Sequence, residues 1–386
     1  MSAQKLCDVT SIGLRPLVDM RSETWNGILG GLYPEGSRTL PFEADEAFRD
    51  YAFDIRPCNA QGYRDNHNGT LAVVGFGSTD ASAAFDVFAM LSVTDTTTSR
   101  RIRYVNACAP GLSLSDLSRE TASMWDVVRS KVSALGIKPA QVQVAWVMLD
   151  ELENADTVFP RAAEQLADRL TDFCRALKSV YPAIRVVYFS SRPYSGYVDP
   201  TMSSLKAGAI TPRDHIHGWG VKMLIERQVR NEPGYDYLAT KATIPALLWS
   251  SYLWADGENA NADGLKWLCS DFEADGYTLS PYGAVKAGVR LANFFKTDFA
   301  ARGWYTRSVV ASADEPSAEP NLRAHFQGSS LEVHGTADQV AIVDIRGREL
   351  WTGPVDGQAV VDASHWAPGV YVVRSSNASI LVQRSR

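Results

Sequence analysis

Residues 70–91 read TLAVVGFGSTDASAAFDVFAML. The run 70–76 is almost wholly apolar, Gly77, Ser78 and Thr79 make a small polar turn, and from Ala81 the apolar residues recur at helical spacing. A strand that feeds directly into an amphipathic helix is the opening half of a βαβ unit. The same alternation continues down the chain. Strand-like runs stand at 102–107 (IRYVNA), 142–149 (VQVAWVML), 184–190 (IRVVYFS) and 244–250 (IPALLWS). Helical runs separate them at 117–135, 160–181 and 218–230, and in the second of these Leu166, Leu170, Phe173 and Leu177 share one face. A last helix follows Pro281, a residue suited to a first helical position. Strands this apolar need cover on both faces. The expectation is a three-layer α/β domain with a parallel sheet over residues 1–310.

The character changes after Tyr305. Residues 311–321 are small, acidic and proline-bearing with no apolar period, which reads as a linker. Over 322–386 come short alternating runs (SLEVHG, QVAIVDIRG, RELWTG, QAVVDAS, GVYVVRSS, SILVQRS), about seven strands that predict a small β-sandwich.

Composition narrows the function. With 386 residues, 45% hydrophobic and 21% charged, the chain can bury a full core. A net charge of −6 argues against nucleic acid or an anionic lipid surface as partner. No run approaches the ~18 apolar residues of a membrane span, and the opening MSAQKLCDVTS has neither region of a signal peptide, so it reads as cytoplasmic or already trimmed. The five cysteines are widely spaced without a C-x-x-C pair, so no zinc site is expected and at most two disulfides form.

Several motifs fail at a defining position. Gly75 and Gly77 begin a dinucleotide fingerprint, but its last small residue is Asp80. NANADG, 259–264, begins like a calcium loop, yet the bidentate glutamate position is Ser270. The acids of LDELENAD read as a solvated face. No cofactor and no metal are expected. What remains is the set of strand ends, where doubly wound sheets bind ligands. These carry Ser78 and Thr79, then the CAPGLSLSD stretch, Asp150, SSRPYSGY and SSYLWADG. A hydroxyl on a strand-to-helix turn is placed to act as a nucleophile with helix amides nearby, although Ser and Thr are equally preferred helix N-caps.

A series of blocks in order, among them GGLYPEGSRTLP (30–41), VGFGST, VNACAPG (105–111), YPAIRVVYFSSRPYSGY (181–197), SSYLWADG, DGLKWLCSDFEADG (263–276) and FFKTDFAARGWY (294–305), resembles secreted bacterial relatives of the SGNH, or GDSL-type, hydrolases. The resemblance implies a flavodoxin-like parallel sheet, a serine nucleophile on the first turn, and a histidine base oriented by an aspartate three residues earlier. Carried onto this chain, the nucleophile position falls on Thr79 with Ser78 adjacent, the oxyanion glycine on Gly111, the aspartate on Asp275, and the histidine position on Thr278. A threonine accepts no proton at neutral pH. Two substitutes for the base stand in the 211–220 loop, His215 and His217. The C-terminal region resembles the sorting domains of the type IX secretion system through its G-R turn, D-x-S step and G-V-Y strand.

The expected protein is therefore secreted or at the cell surface, with a degenerate triad and little or no catalysis. Arg192, Tyr194, Tyr252 and Trp254 are expected to line a cleft for a glycan or ester, and the C-terminal domain to engage the secretion machinery. The alternative is an active esterase or carbohydrate deacetylase using Ser78 or Thr79 with His215 or His217.

Overall fold

The computed structural model describes residues 5–201, 203–307, 322–344, 348–375 and 379–384. The linker expected over 311–321 lies outside them. An irregular N-terminal segment carries a two-residue ribbon, β1 (Thr24–Trp25) with β2 (Ile28–Leu29), and leads into helix α1 (Phe42–Ala52). Strands β3 (Leu71–Gly77), β4 (Ile102–Asn106), β5 (Val142–Met148), β6 (Val186–Phe189) and β7 (Ala246–Trp249) then form one sheet in the order β4-β3-β5-β6-β7. Every neighbouring pair is parallel. All five strands stand within two residues of the sequence expectation at either end. This order reverses between β3 and β5, the switch point at whose carboxyl end doubly wound proteins take ligands.

Helices α2 (Thr79–Thr94), α3 (Met124–Ala134), α4 (Arg161–Val180), α5 (Arg213–Val229), α6 (Pro281–Thr297) and α7 (Phe299–Tyr305) complete the domain. The pleat of the sheet sorts them. On one face Phe85 of α2 stacks on Trp146 of β5 at 5.8 Å, and Phe295 of α6 meets Tyr188 of β6 at 5.1 Å. On the other, Phe76 of β3 lies 5.9 Å from Trp125 of α3 and 5.4 Å from Phe173 of α4. Leu166, Leu170, Phe173 and Leu177 are buried as one stripe of α4, as their spacing requires. Ser280 caps α6 by accepting from the Gly283 amide at 3.4 Å, with Pro281 next in line.

The two glycines of the apparent dinucleotide turn have a packing reason. A Cβ on Gly75 would lie 2.5 Å from the Phe85 ring, and one on Gly77 would lie 2.1 Å from Ala81. Both residues let α2 settle against the sheet; a methyl at either would force the helix outward.

The N-terminal segment is a strap across the carboxyl ends of β6 and β7. Leu6 donates its amide to Tyr197 O, Tyr194 donates its hydroxyl to Val9 O, the Glu258 amide bonds Thr10 O, the Leu17 amide donates to the Tyr252 hydroxyl, and the Trp249 indole donates to Leu32 O. Leu17 and Val18 are fully buried beneath it. Cys7 is disulfide-bonded to Cys269, with Cα atoms 5.3 Å apart, while Cys58, Cys108 and Cys174 are free and buried.

The C-terminal region departs from the expected sandwich. Strands β8 (Arg323–Gln327), β9 (Ser330–Asp344), β10 (Glu349–Asp362), β11 (Gly369–Ser375) and β12 (Ser379–Arg384) form a single curled antiparallel sheet. Two expected strand pairs have merged into the long β9 and β10, which run side by side through register shifts next to Trp351 and Val355. One end of β9 pairs with β8 and the other with β11, so the sheet bends around its own small core of Leu331, Val333, Ile342, Val355 and Val373. β11 lies against α6.

Candidate functional site

Ser78 follows β3 directly and occupies the N-cap position of α2 in an extended conformation. Its Oγ accepts the Gly111 amide at 3.2 Å, and Gly111 stands in the left-handed region at φ 70° after β4. That is the geometry of a turn hydroxyl facing a backbone donor. Thr79 is already the first helical residue, so of the two candidates Ser78 faces the donor and Thr79 does not.

The residues expected as the other triad members bond one another. Asp275 accepts the Tyr277 and Thr278 amides at 2.9 and 2.8 Å, and the Thr278 hydroxyl at 2.6 Å. Thr278, the position where the resemblance expects a histidine, is thus tied to Asp275 through both its amide and its hydroxyl. The residue next to Ser78 is Tyr277. Its phenol donates to Asp80 Oδ1 at 3.3 Å, and burial, followed by the Asp80 charge, pushes its pKa well above the ordinary tyrosine value. A phenol held protonated is a donor, not a base.

Behind it lies a buried ionic network. Asp150, at the end of β5, accepts Arg192 Nη1 on one oxygen at 2.8 Å and Arg213 Nη2 on the other at 3.0 Å. Arg192 also donates to Gly208 O at 2.8 Å and Ala209 O at 2.7 Å, and its Nε stands 3.9 Å from Asp80. All four charged side chains are buried. Burial alone would raise Asp150; Arg213 and Arg192 together outweigh it and hold the carboxyl below its usual range. Asp80, with Arg192 at longer range, stays above its usual value through burial.

Neither histidine reaches the nucleophile position. Both lie on α5 and are buried. His215 Nε2 pairs with Arg15 O at 2.9 Å, its ring 4.6 Å from the Trp254 ring, and His217 Nε2 pairs with Leu149 O at 2.8 Å. Burial lowers both, His217 to about 4. The residues expected to line a ligand cleft are likewise interior. Arg192 is inside the network, Tyr194 and Tyr252 are bonded to the strap, and the Trp254 indole donates to Asp214 at 2.8 Å. Sequence reasoning placed these aromatics at the correct strand ends but did not see the strap that covers them. The strap has no periodicity to announce it.

A cavity of about 1040 Å³ lies at the opposite, amino end of the sheet. Arg56, Arg64, Arg175, Lys178, Arg185 and Lys241 line it against one carboxylate, Asp54. Asp54 stands 3.4 Å from Arg185, and no ion pair satisfies the other five cations among the described residues. Arg56 is held below its ordinary pKa by burial and then by Arg64, and Lys178 by burial and then by Arg185. Tyr51 and Tyr237, edge to face at 5.0 Å, form part of the wall.

The strand order and the crossover helices define a doubly wound α/β protein. No family model matches the chain, and no curated protein does. Among solved structures it is similar to a "putative SGNH hydrolase" from Slackia heliotrinireducens, at 15% identity over 58% of this chain and 99% of that one, with a TM-score of 0.31. It is also similar to an FMN-binding beta-glucuronidase from Facaelibacterium prausnitzii L2-6, at 10% identity over 82% of this chain and 56% of that one, with a TM-score of 0.17. At these scores neither neighbour informs the roles of individual residues.

Proposed function

We propose that this chain is a non-hydrolytic binding protein on an SGNH-like scaffold, and that its ligand is an anionic saccharide held in the basic groove at the amino end of the sheet. The observation that carries the first half is the company Ser78 keeps: an amide and a phenol, with no imidazole bonded to it or to Thr79. Without a general base the expected loss is about 10²–10⁴-fold in rate. The second half rests on five cations without a carboxylate partner in a protein of net charge −6, set beside two tyrosines that can pack on sugar rings.

The test has two arms. Hydrolysis of p-nitrophenyl acetate by the wild type should equal that of Ser78→Ala, and titration calorimetry with a sulfated oligosaccharide should show binding that a neutral oligosaccharide does not and that weakens as salt rises. Turnover lost in Ser78→Ala would instead establish the esterase or deacetylase reading, which the Gly111 amide on Ser78 favours.

The same reading puts the protein outside the cytoplasm. The Cys7–Cys269 pairing supports an oxidising compartment, and a type IX sorting role for 322–386 is proposed from the sequence resemblance of its G-R turn, D-x-S step and G-V-Y strand. Deleting 322–386 should then keep the protein inside the producing cell. Equal export of the truncated chain would refute the sorting role.

A further inference from the structure

We infer that the outer face of the C-terminal sheet carries a site for a borderline divalent transition metal, formed by His325, Glu332 and His334. The sequence reading expects no metal, and the reason is geometric. The ligands lie within ten positions but without a recognised metal-ligand spacing, one on β8 and two on β9, and the register of that hairpin brings them together. His325 is the direct partner of Glu332, and His334 lies two residues along the same strand. Side chains two apart on a strand share a face, and directly opposed residues share it too. Phe326, Leu331 and Val333 point the other way, into the domain core.

The distances suit coordination. His334 Nε2 is 3.3 Å and His325 Nε2 3.9 Å from the same Glu332 oxygen, Oε2, and the three donor atoms all lie within 4.8 Å of one another. Two donors on one tetrahedral zinc at about 2.1 Å stand about 3.4 Å apart, so closing the set needs only small side-chain adjustments. The imidazole rings are parallel to within 5° at 5.6 Å between centroids. Their side chains are 57% and 39% exposed, so an ion can enter from solvent without opening the fold.

The donor set selects the metal. Two imidazoles and one carboxylate suit zinc, copper or nickel and are poor ligands for calcium or magnesium, which take oxygen cages. Gln358, the partner of His334 on β10, donates to Glu332 Oε2 at 3.1 Å and steadies the carboxylate from outside the set. The nearby cation is Arg323, the partner of His334 on β8. Its charge opposes that of the ion, and removing it should tighten binding. Three protein ligands leave one tetrahedral position to water. A bound ion would join β8 to β9 across the Gly328–Ser329 turn.

The test uses the full chain and ZnCl₂ alone. Titration calorimetry should give one zinc per chain, with calcium and magnesium giving no heat. His325→Ala and His334→Ala should each weaken zinc at least 10-fold, Arg323→Ala should strengthen it, and His365→Ala, an exposed histidine of the same domain outside the set, should leave it unchanged. Zinc should also raise the melting temperature of the wild type and not that of the double histidine variant. Equal zinc binding by the wild type and a folded double variant, no binding at 100 µM zinc, or equal affinity for calcium would each overturn the assignment.

Discussion

The two ends of the parallel sheet are built on opposite principles. At the carboxyl end, where doubly wound proteins normally admit ligands, the chain spends its charges on one another: Asp150 holds Arg192 and Arg213, Tyr277 fills the space beside Ser78, and the strap seals the aromatics. At the amino end, cations crowd an open groove with little to neutralise them. Paired, buried charge fixes a structure; unpaired, accessible charge is available to something else. The difference shows that a functional surface is to be sought here where electrostatic compensation is missing, not where the fold would conventionally put it.

The largest expected effect comes from breaking the sealed end. Asp150→Ala leaves the buried Arg213 without its carboxylate and Arg192 with only Asp80 at 3.9 Å, and should destabilise the protein by about 3–5 kcal/mol, measured by urea unfolding at pH 7. A loss under about 1 kcal/mol would mean that water already reaches the network.

Acid should come next. His217 is neutral when folded, with its pKa lowered from 6.5 to about 4, so below pH 6.5 the unfolded chain binds a proton that the folded one refuses. Stability is then complete above about pH 6.5 and falls as pH drops toward 4, by roughly 3 kcal/mol from this group. His215 acts in the same direction, while Asp80, raised by burial, opposes it in the carboxylate range. His217→Asn should flatten the slope of stability against pH between 6.5 and 4. An unchanged slope would locate the acid sensitivity elsewhere.

At the open end the expected effect on folding is the smallest. Arg175 is exposed, with its guanidinium 5.8 Å from the centre of the Tyr235 ring, so Arg175→Ala should change stability by less than about 0.5 kcal/mol. It should nonetheless weaken binding of a sulfated oligosaccharide. A variant that loses stability but keeps binding would invert the comparison.

What was legible in the sequence follows from the same physics. The five strands could be read because a sheet covered on both faces leaves almost no polar residue in them, and the relation of Asp275 to Thr278 because it is local. The strap could not: its contacts are scattered hydrogen bonds to residues such as Tyr197, Tyr252 and Glu258, some 190 to 250 positions later, and no period marks them. Arg192 is a strand-end residue whether it faces a ligand or Asp150, and only burial decides. In the C-terminal sheet the short runs read as separate strands, yet Gly335 and Gly357 lie within the continuous β9 and β10, which accommodate the irregularities together. His325, Glu332 and His334 depended on the β8–β9 register.

The strap also sets an order in time. Its dock consists of β6, β7, α5 and the loop around Cys269, and Cys7 waits 262 residues for its partner. At roughly 5–20 residues per second of synthesis, that interval lasts about 13–50 s, during which Leu17 and Val18 have no apolar surface to enter. The segment that closes the domain is made long before the surface it closes, so a ribosome-bound nascent chain should remain sensitive to protease before residue 37 until the strands and loops of the far half have emerged.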